Sequence, residues 1–365
     1  MTAFWGCRNI LKCFGEYYEK KLVFCMVSGG VLVVCALSLL LVSCGGGGGG
    51  GSDDYEAPVA ESGNTTSESG SAGGAGSGDG IAPTTVGFVL ISGGTVTGGD
   101  KFIPAGFQTS DGHKGAFVEG RTVTVSPFYI CDHEVTQIEY QEVMGTNPSS
   151  FSSNPASGEV QANRPVENVI WYEAITYCNK RSIMEGLTPC YTVGGVDFSD
   201  SVTVPTVNDL TWNAATCNFD ANGYRLPTEV EWEYAARGGA AGCALANPTD
   251  YAGTDDMTSL GSYAWDSSNS GGMTHEIKKK TKNSLDLYDM SGNVWELCWD
   301  RYNIIIIAST SSYGPGVSFD SSRVIRGGGW NNDPSYGYCS LGIRAEQDTW
   351  ERNNRVGFRV VRTAN

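Results

Sequence analysis

Positive charge is what this sequence most conspicuously lacks. Twenty-four Lys and Arg stand against 40 Asp and Glu, a net charge of −16, and no basic stripe runs through the part able to fold. That argues against nucleic-acid binding, which needs a concentrated basic face to neutralise phosphates. The single basic run, residues 278–282, reads as a solvated loop. Histidine is scarce too: His113, His133 and His275 lie far apart, and each reads as a surface or satisfied residue rather than a ligand. No Cys-x-x-Cys pair occurs, which points away from a zinc site. Nor is there a paired-His helix, a nucleophile elbow, a phosphate loop or an internal repeat.

Of the 12 cysteines, five fall at or before Cys44, and the rest run from Cys131 to Cys339 at irregular spacing, which leaves any disulfide pattern open. Low Lys content, abundant Gly, Ser, Thr and Asn, and 9 Trp suit an exported domain rich in loops. Residues 22–42 are apolar and follow Lys20-Lys21, as an export signal does. They end in Leu41-Val-Ser-Cys44-Gly, which resembles a bacterial lipoprotein signal with Cys44 as the lipidated residue. The run is also long enough to be a plain transmembrane anchor. The glycine tract directly after Cys44 favours the lipoprotein.

Three regions follow from composition. Residues 1–44 form the signal peptide, although the first 18 are long for a leader and the true start codon is open. Residues 45–85 are Gly, Ser, Ala and acidic residues with almost nothing to bury, a disordered linker with an r.m.s. span of roughly 35 Å. Residues 86–365 carry the folded domain. There, residues 88–91 and 122–130 read as strands. Thr136 and Glu139 form a capping box that opens a helix through Met144. A second helix spans about 171–184, residues 187–222 are mostly loop, and Thr228 with Glu231 caps a third helix that Arg237-Gly-Gly ends. An isolated apolar run, Ile304–Ile307, and closing strands at 323–326 and 357–362 complete an α+β pattern.

The chain is organised around Asp289-Met-Ser-Gly-Asn-Val-Trp-Glu296. Val294, Leu297 and Trp299 supply core bulk, while Gly292 and Asn293 allow a sharp bend between two carboxylates. Calcium takes carboxylate and carbonyl oxygens at close range. The side chains of Asp289 and Glu296 with the carbonyls of Gly292 and Val294 would form a half-cage for it. On spacing alone, a Gly-Asn turn between buried strands, with Glu296 paired to an arginine, is the simpler reading.

Four further stretches stand around this one: Arg164-Pro-Val-Glu-Asn-Val-Ile-Trp171, Gly223-Tyr-Arg-Leu-Pro-Thr-Glu-Val-Glu-Trp-Glu-Tyr-Ala-Ala-Arg-Gly-Gly239, Arg323-Val-Ile-Arg-Gly-Gly-Gly-Trp330 and Arg355-Val-Gly-Phe-Arg-Val-Val361. In this order they resemble the formylglycine-generating enzyme (sulfatase-modifying factor) family. The resemblance implies a C-type-lectin-like core rich in irregular structure, with Trp295 and Phe358 inside it. It implies a structural calcium at Asp289, Gly292, Val294 and Glu296. Enzymes of this family hold copper with two cysteines after the Arg-Gly-Gly motif. The matching positions are Asn332 and Gly337, Gly329 replaces a serine, and Cys339 is a single thiol two places away. Cu(I) selects soft thiolates, so copper-oxidase activity is not expected. The histidine cluster of the related iron sulfoxide synthases is missing as well.

Between the regular flanks, residues 333–351 follow no period. Asp333, Ser335, Tyr336, Tyr338, Ser340, Ile343, Asp348 and Trp350 give this segment a paratope-like composition, amphipathic contact area on loops held by a scaffold. The arrangement resembles the variable proteins of diversity-generating retroelements. Many of these residues are reachable from asparagine codons by adenine mutagenesis, whereas Glu346, Gln347, Trp350 and Glu351 are not and would be fixed positions. The expectation is a lipid-anchored bacterial envelope protein, displayed on the surface, that binds a protein or glycan ligand through this C-terminal face. An enzyme of the same fold with other chemistry is the alternative, and a structural envelope protein with no specific ligand is a third.

Overall fold

A computed structural model describes residues 87–104, 115–303 and 321–364. The signal segment, Cys44, the linker and the Ile304–Ile307 run lie outside the described residues. Among the described residues no helix is long and apolar enough to cross a membrane.

Two four-stranded sheets form the frame. In the first, β1 (Phe88–Ile91), β4 (Phe128–Cys131), β12 (Val361–Thr363) and β7 (Tyr224–Arg225) lie side by side, all antiparallel. The second has the order β10 (Ala345–Asp348), β9 (Ser322–Arg326), β8 (Trp295–Arg301) and β11 (Val356–Gly357), the last pair being parallel. Two small hairpins add β2 (Gly94–Thr97) to β3 (Thr122–Val125) and β5 (Tyr191–Thr192) to β6 (Thr216–Cys217).

Proline and local chemistry explain where elements begin and stop. The continuous strand expected over 122–130 breaks into β3 and β4 at Ser126-Pro127, since proline cannot donate to a ladder. The closing strand expected over 357–362 likewise divides, β11 joining one sheet and β12 the other. Helix α1 (Gln137–Met144) starts at the expected capping box: the Glu139 carboxylate accepts from Thr136 N at 2.8 Å, and Glu139 N donates to Thr136 Oγ1 at 3.3 Å. Helix α2 (Trp171–Met184) buries one long face, including Trp171, Tyr172, Ile175 and Tyr177. The short α3 (Leu210–Asn213) lies in the loop region before β6. Thr228 and Glu231 cap α4 (Glu229–Ala236). Gly238, at φ 89°, ends α4 as expected, and a further short helix, α5 (Gly239–Ala244), follows at once.

Apolar side chains gather in two large clusters. One packs α2 against Trp295, Leu297, Val356 and Phe358, and the other packs α4 against β4, β9 and β12. Trp295 and Phe358 are therefore core residues.

Candidate functional site: a carboxylate cluster and an aromatic face

The bend before β8 is tight. Asp289 and Asn293 both sit at φ 57°, and Gly292 is at φ 84°. A Cβ on Gly292 would lie 2.4 Å from the Trp265 carbonyl oxygen, so only glycine fits there. Trp265 is held in turn by Asn293 N, which donates to its carbonyl at 2.8 Å.

The bend brings three carboxylates into the interior. Asp289, Glu134 and Glu296 are all buried. Glu296 is fully engaged: Arg359 Nε and Nη2 each lie 2.6 Å from its oxygens, and Trp232 Nε1 donates to Oε2 at 2.7 Å. Asp289 is not. Its Oδ2 accepts from Lys278 N at 2.9 Å, while Oδ1 is buried without a hydrogen-bond partner. Burial pushes the Asp289 carboxyl up to about 6, against the pull of Lys278 N and Arg359. Glu134, raised well above the carboxylate range by burial and by Asp289 and Glu296, accepts from Val294 N at 3.1 Å and Asn293 Nδ2 at 2.7 Å.

The expected half-cage is thus met unevenly. Asp289 offers an orphaned oxygen of the kind a hard cation satisfies, whereas Glu296 has the arginine partner of the alternative reading. Glu134, which comes from the connection between β4 and α1, had no periodic signal to mark it. Its role depends on Asn293 and Val294, 159 and 160 positions away in the chain.

After β9 the chain turns through Gly327-Gly328-Gly329 into the aperiodic segment. Gly328 is at φ 75°, where a Cβ would stand 2.5 Å from Cys339 N, so the outgoing and returning strands of this segment touch. Asn332 Oδ1 accepts from Trp295 Nε1 at 2.7 Å and from Gly329 N at 2.9 Å. Asp333 caps the turn Pro334–Tyr336 by accepting from Ser335 N at 2.9 Å, and Gly337 closes it at φ 79°. The two positions matching the copper cysteines therefore serve backbone geometry and side-chain anchoring.

The expected binding residues separate into two groups. Asp333, Ser335, Tyr336 and Tyr338 are exposed, Tyr336 by 68% and Tyr338 by 37%. The Tyr338 ring stands edge-on to Trp295 at 6.5 Å between centroids. Ser340 and Ile343, by contrast, are buried, and this corrects their assignment to the binding surface. The cause is Arg326, whose guanidinium donates to Leu341 O at 2.8 Å and to Ile343 O while pairing with Glu233 at 2.5 Å. Arg344 adds a two-pronged pair with Glu229, both contacts at 2.7 Å. Asp348 and Trp350 are half-buried. Asp348 accepts from Ser322 Oγ at 2.7 Å, and the Trp350 ring packs on the core with Nε1 lacking a partner. Phe151, which no motif marked, meets the motif tryptophan Trp330 edge-on at 5.2 Å. Phe151 with Trp330 and Trp295 with Tyr338 are two pairs that form only in three dimensions.

Residues 80–364 match the family described as sulfatase-modifying factor enzyme 1-like domain. "Chaperone protein LppX" of Paenibacillus barcinonensis is 37% identical over 284 residues, covering 74% of this chain and 92% of that protein. The formylglycine-generating enzyme of Streptomyces coelicolor is 33% identical over 172 residues, 42% of this chain and 52% of the enzyme. Among solved structures, Treponema denticola variable protein 1 is 38% identical with a TM-score of 0.64, covering 75% of this chain and 95% of that one.

Proposed function

Since the chain belongs to the sulfatase-modifying factor enzyme 1-like domain family, we propose that it is a lipid-anchored bacterial envelope protein that binds a ligand through the 333–338 face, without copper-oxidase activity. One observation carries this reading. Asp333, Ser335, Tyr336 and Tyr338 stand exposed on a segment whose base is clamped by Asn332 on one side and by Arg326 on the other. Tyrosines on a rigid frame give contact area at little entropic loss, and interface hot spots favour them. The similarity to a protein named as variable supports a recognition role, and the relative named as a chaperone weighs toward a protein ligand rather than a glycan.

Calcium is the proposed structural ion of the domain. Asp289 Oδ1 would hold it, with the carbonyls of Gly292 and Val294 and a Glu296 oxygen shared with Arg359. Its part is to neutralise the buried carboxylates beside the bend. Cys44 is the proposed lipidation site, which intact-mass analysis of membrane-extracted protein checks. A diacylglyceryl group on Cys44 is expected, and an unmodified chain keeping residues 1–43 would leave a transmembrane anchor.

The decisive experiment replaces Asp333, Tyr336 and Tyr338 together with alanine and screens the full chain against surface-protein and glycan arrays. Wild type is expected to bind one class of target, and the variant to lose it with its circular dichroism unchanged. Undiminished binding by the variant would move the ligand to another face, such as the 187–222 loops.

A further inference from the structure

Cys131, Asp132 and His133 are consecutive, and a continued strand would throw Asp132 to the face opposite its neighbours. Here β4 stops at Cys131 and the chain bends through the next two residues on its way to α1. The bend gathers one sulfur, one ring nitrogen and one carboxylate oxygen within 4.8 Å of one another. Cys131 Sγ lies 3.5 Å from His133 Nδ1, and Asp132 Oδ1 touches the same nitrogen. The other ring nitrogen, Nε2, faces Glu139 Oε2 at 3.5 Å. Cys131 is buried, while Asp132 and His133 are half-buried, so the group meets solvent on one side.

We propose that Cys131, Asp132 and His133 bind one divalent transition-metal ion of the zinc class, with Glu139 as a positioning residue on the far side of the imidazole. Zinc takes sulfur at about 2.3 Å, imidazole nitrogen at about 2.0 Å and carboxylate oxygen at about 2.1 Å in tetrahedral array, which sets neighbouring ligand atoms roughly 3.3–3.7 Å apart. The sulfur–nitrogen separation of 3.5 Å already falls in that range. Three protein ligands leave the fourth position to water or to a donor from outside. The mixed sulfur, nitrogen and oxygen set suits zinc and not calcium, which takes oxygen alone, so this site is separate from Asp289. A metal-bound histidine usually donates its remaining N–H to a carboxylate, and Glu139 stands where that acceptor belongs. Its Oε2 is fixed by Thr136 N and Thr136 Oγ1, both at 2.8 Å.

One group competes with the ion. Lys278 Nζ lies 2.7 and 2.8 Å from the Asp132 oxygens, on a side chain 34% exposed that has room to swing away.

Cobalt(II) titration of the calcium-saturated, detergent-solubilised full chain tests the site, because thiolate ligation produces a sulfur-to-cobalt charge-transfer band. One equivalent should generate the band in wild type, zinc should bleach it, and both Cys131→Ser and His133→Gln should lack that equivalent. Glu139→Gln preserves the capping box and should weaken binding about 10–100-fold. Lys278→Met leaves every ligand in place and should bind at least as tightly as wild type. No band in wild type, or the same band in Cys131→Ser, overturns the proposal. Weaker binding by Lys278→Met overturns Asp132 as a ligand.

Discussion

Arg359 grips Glu296 through both carboxylate oxygens at 2.6 Å, and neither side chain reaches solvent. Arg359 also donates to Cys131 O at 3.1 Å and to Tyr288 O at 2.9 Å. It therefore joins β8 of one sheet to β4 of the other and to the bend that precedes β8. The motif Gly357-Phe-Arg359 and the motif ending in Glu296 are halves of one contact.

Removing one partner of a buried ion pair strands the other, which costs about 3–5 kcal/mol. With calcium removed by a chelator, so that only the ion pair is lost, Glu296→Gln should therefore lower stability by about that amount in urea unfolding. Asp289→Asn should behave differently. If calcium binds at Asp289 Oδ1, chelation lowers the melting temperature of wild type and leaves Asp289→Asn unmoved. A ligand at 100 times its dissociation constant stabilises by about 2.7 kcal/mol. A wild-type melting curve indifferent to chelation, with no calcium by elemental analysis, would reduce the bend to a turn.

Two buried carboxyls set a pH dependence that calcium does not touch. Burial, reinforced by Glu229, pushes Asp300 up to about 7, and burial pushes Glu167 up to about 7 against the pull of the Phe151 and Ser150 amides. Each folded-state value is raised above that of the unfolded chain. Their contribution is thus fully present below about pH 4 and is lost as pH rises toward 7. Asp300 Oδ2 accepts from Glu229 N at 2.7 Å, a bond that an amide oxygen keeps. Asp300→Asn should flatten the fall in stability between pH 5 and 8, by on the order of 2–4 kcal/mol. An unchanged slope in the variant would mean that Asp300 is not the titrating group.

Helix starts were legible because a cap is local: Thr136 with Glu139, and Thr228 with Glu231, carry their whole argument within four residues. The motif stretches around Trp171, Arg326 and Arg359 announced the family frame for a related reason, since each is a compact run of core and anchoring residues. Where the reading failed, the deciding partner was distant. Ser340 and Ile343 look like loop residues until Arg326 draws the carbonyls of Leu341 and Ile343 inward. Glu134 looks like an ordinary helix-entry acid until Asn293 and Val294 meet it. At Pro127 the signal was present, and the alternation of Val and Thr around it concealed the break.

Asn332 and Gly337 give a prediction about chemistry. With copper and a sulfatase-type cysteine peptide, the chain should form no aldehyde, and any turnover would show that other residues hold the metal. Asn332→Ala should also reveal what the asparagine does instead. It removes the acceptor for Trp295 Nε1 and Gly329 N, and leaving a buried donor unsatisfied costs about 1–3 kcal/mol. Differential scanning calorimetry measures the loss, and a neutral Asn332→Ala would mean that water replaces the amide.

The division between face and frame within residues 333–350 can be measured residue by residue. Tyr336 is 68% exposed, so Tyr336→Ala should change unfolding free energy by no more than about 0.5 kcal/mol. Tyr338 keeps an edge-on contact with Trp295, and its removal should cost somewhat more, about 0.5–1.5 kcal/mol. Ile343 lies in the main core cluster beside Trp295 and Ile325, and Ile343→Ala should cost about 2–5 kcal/mol through the cavity it leaves. Affinity for the ligand should follow the opposite order, falling most for Tyr336 and Tyr338 and least for Ile343 at temperatures where that variant remains folded. Should Tyr336→Ala prove as destabilising as Ile343→Ala, the exposed tyrosine is part of the frame and the binding face must be sought elsewhere.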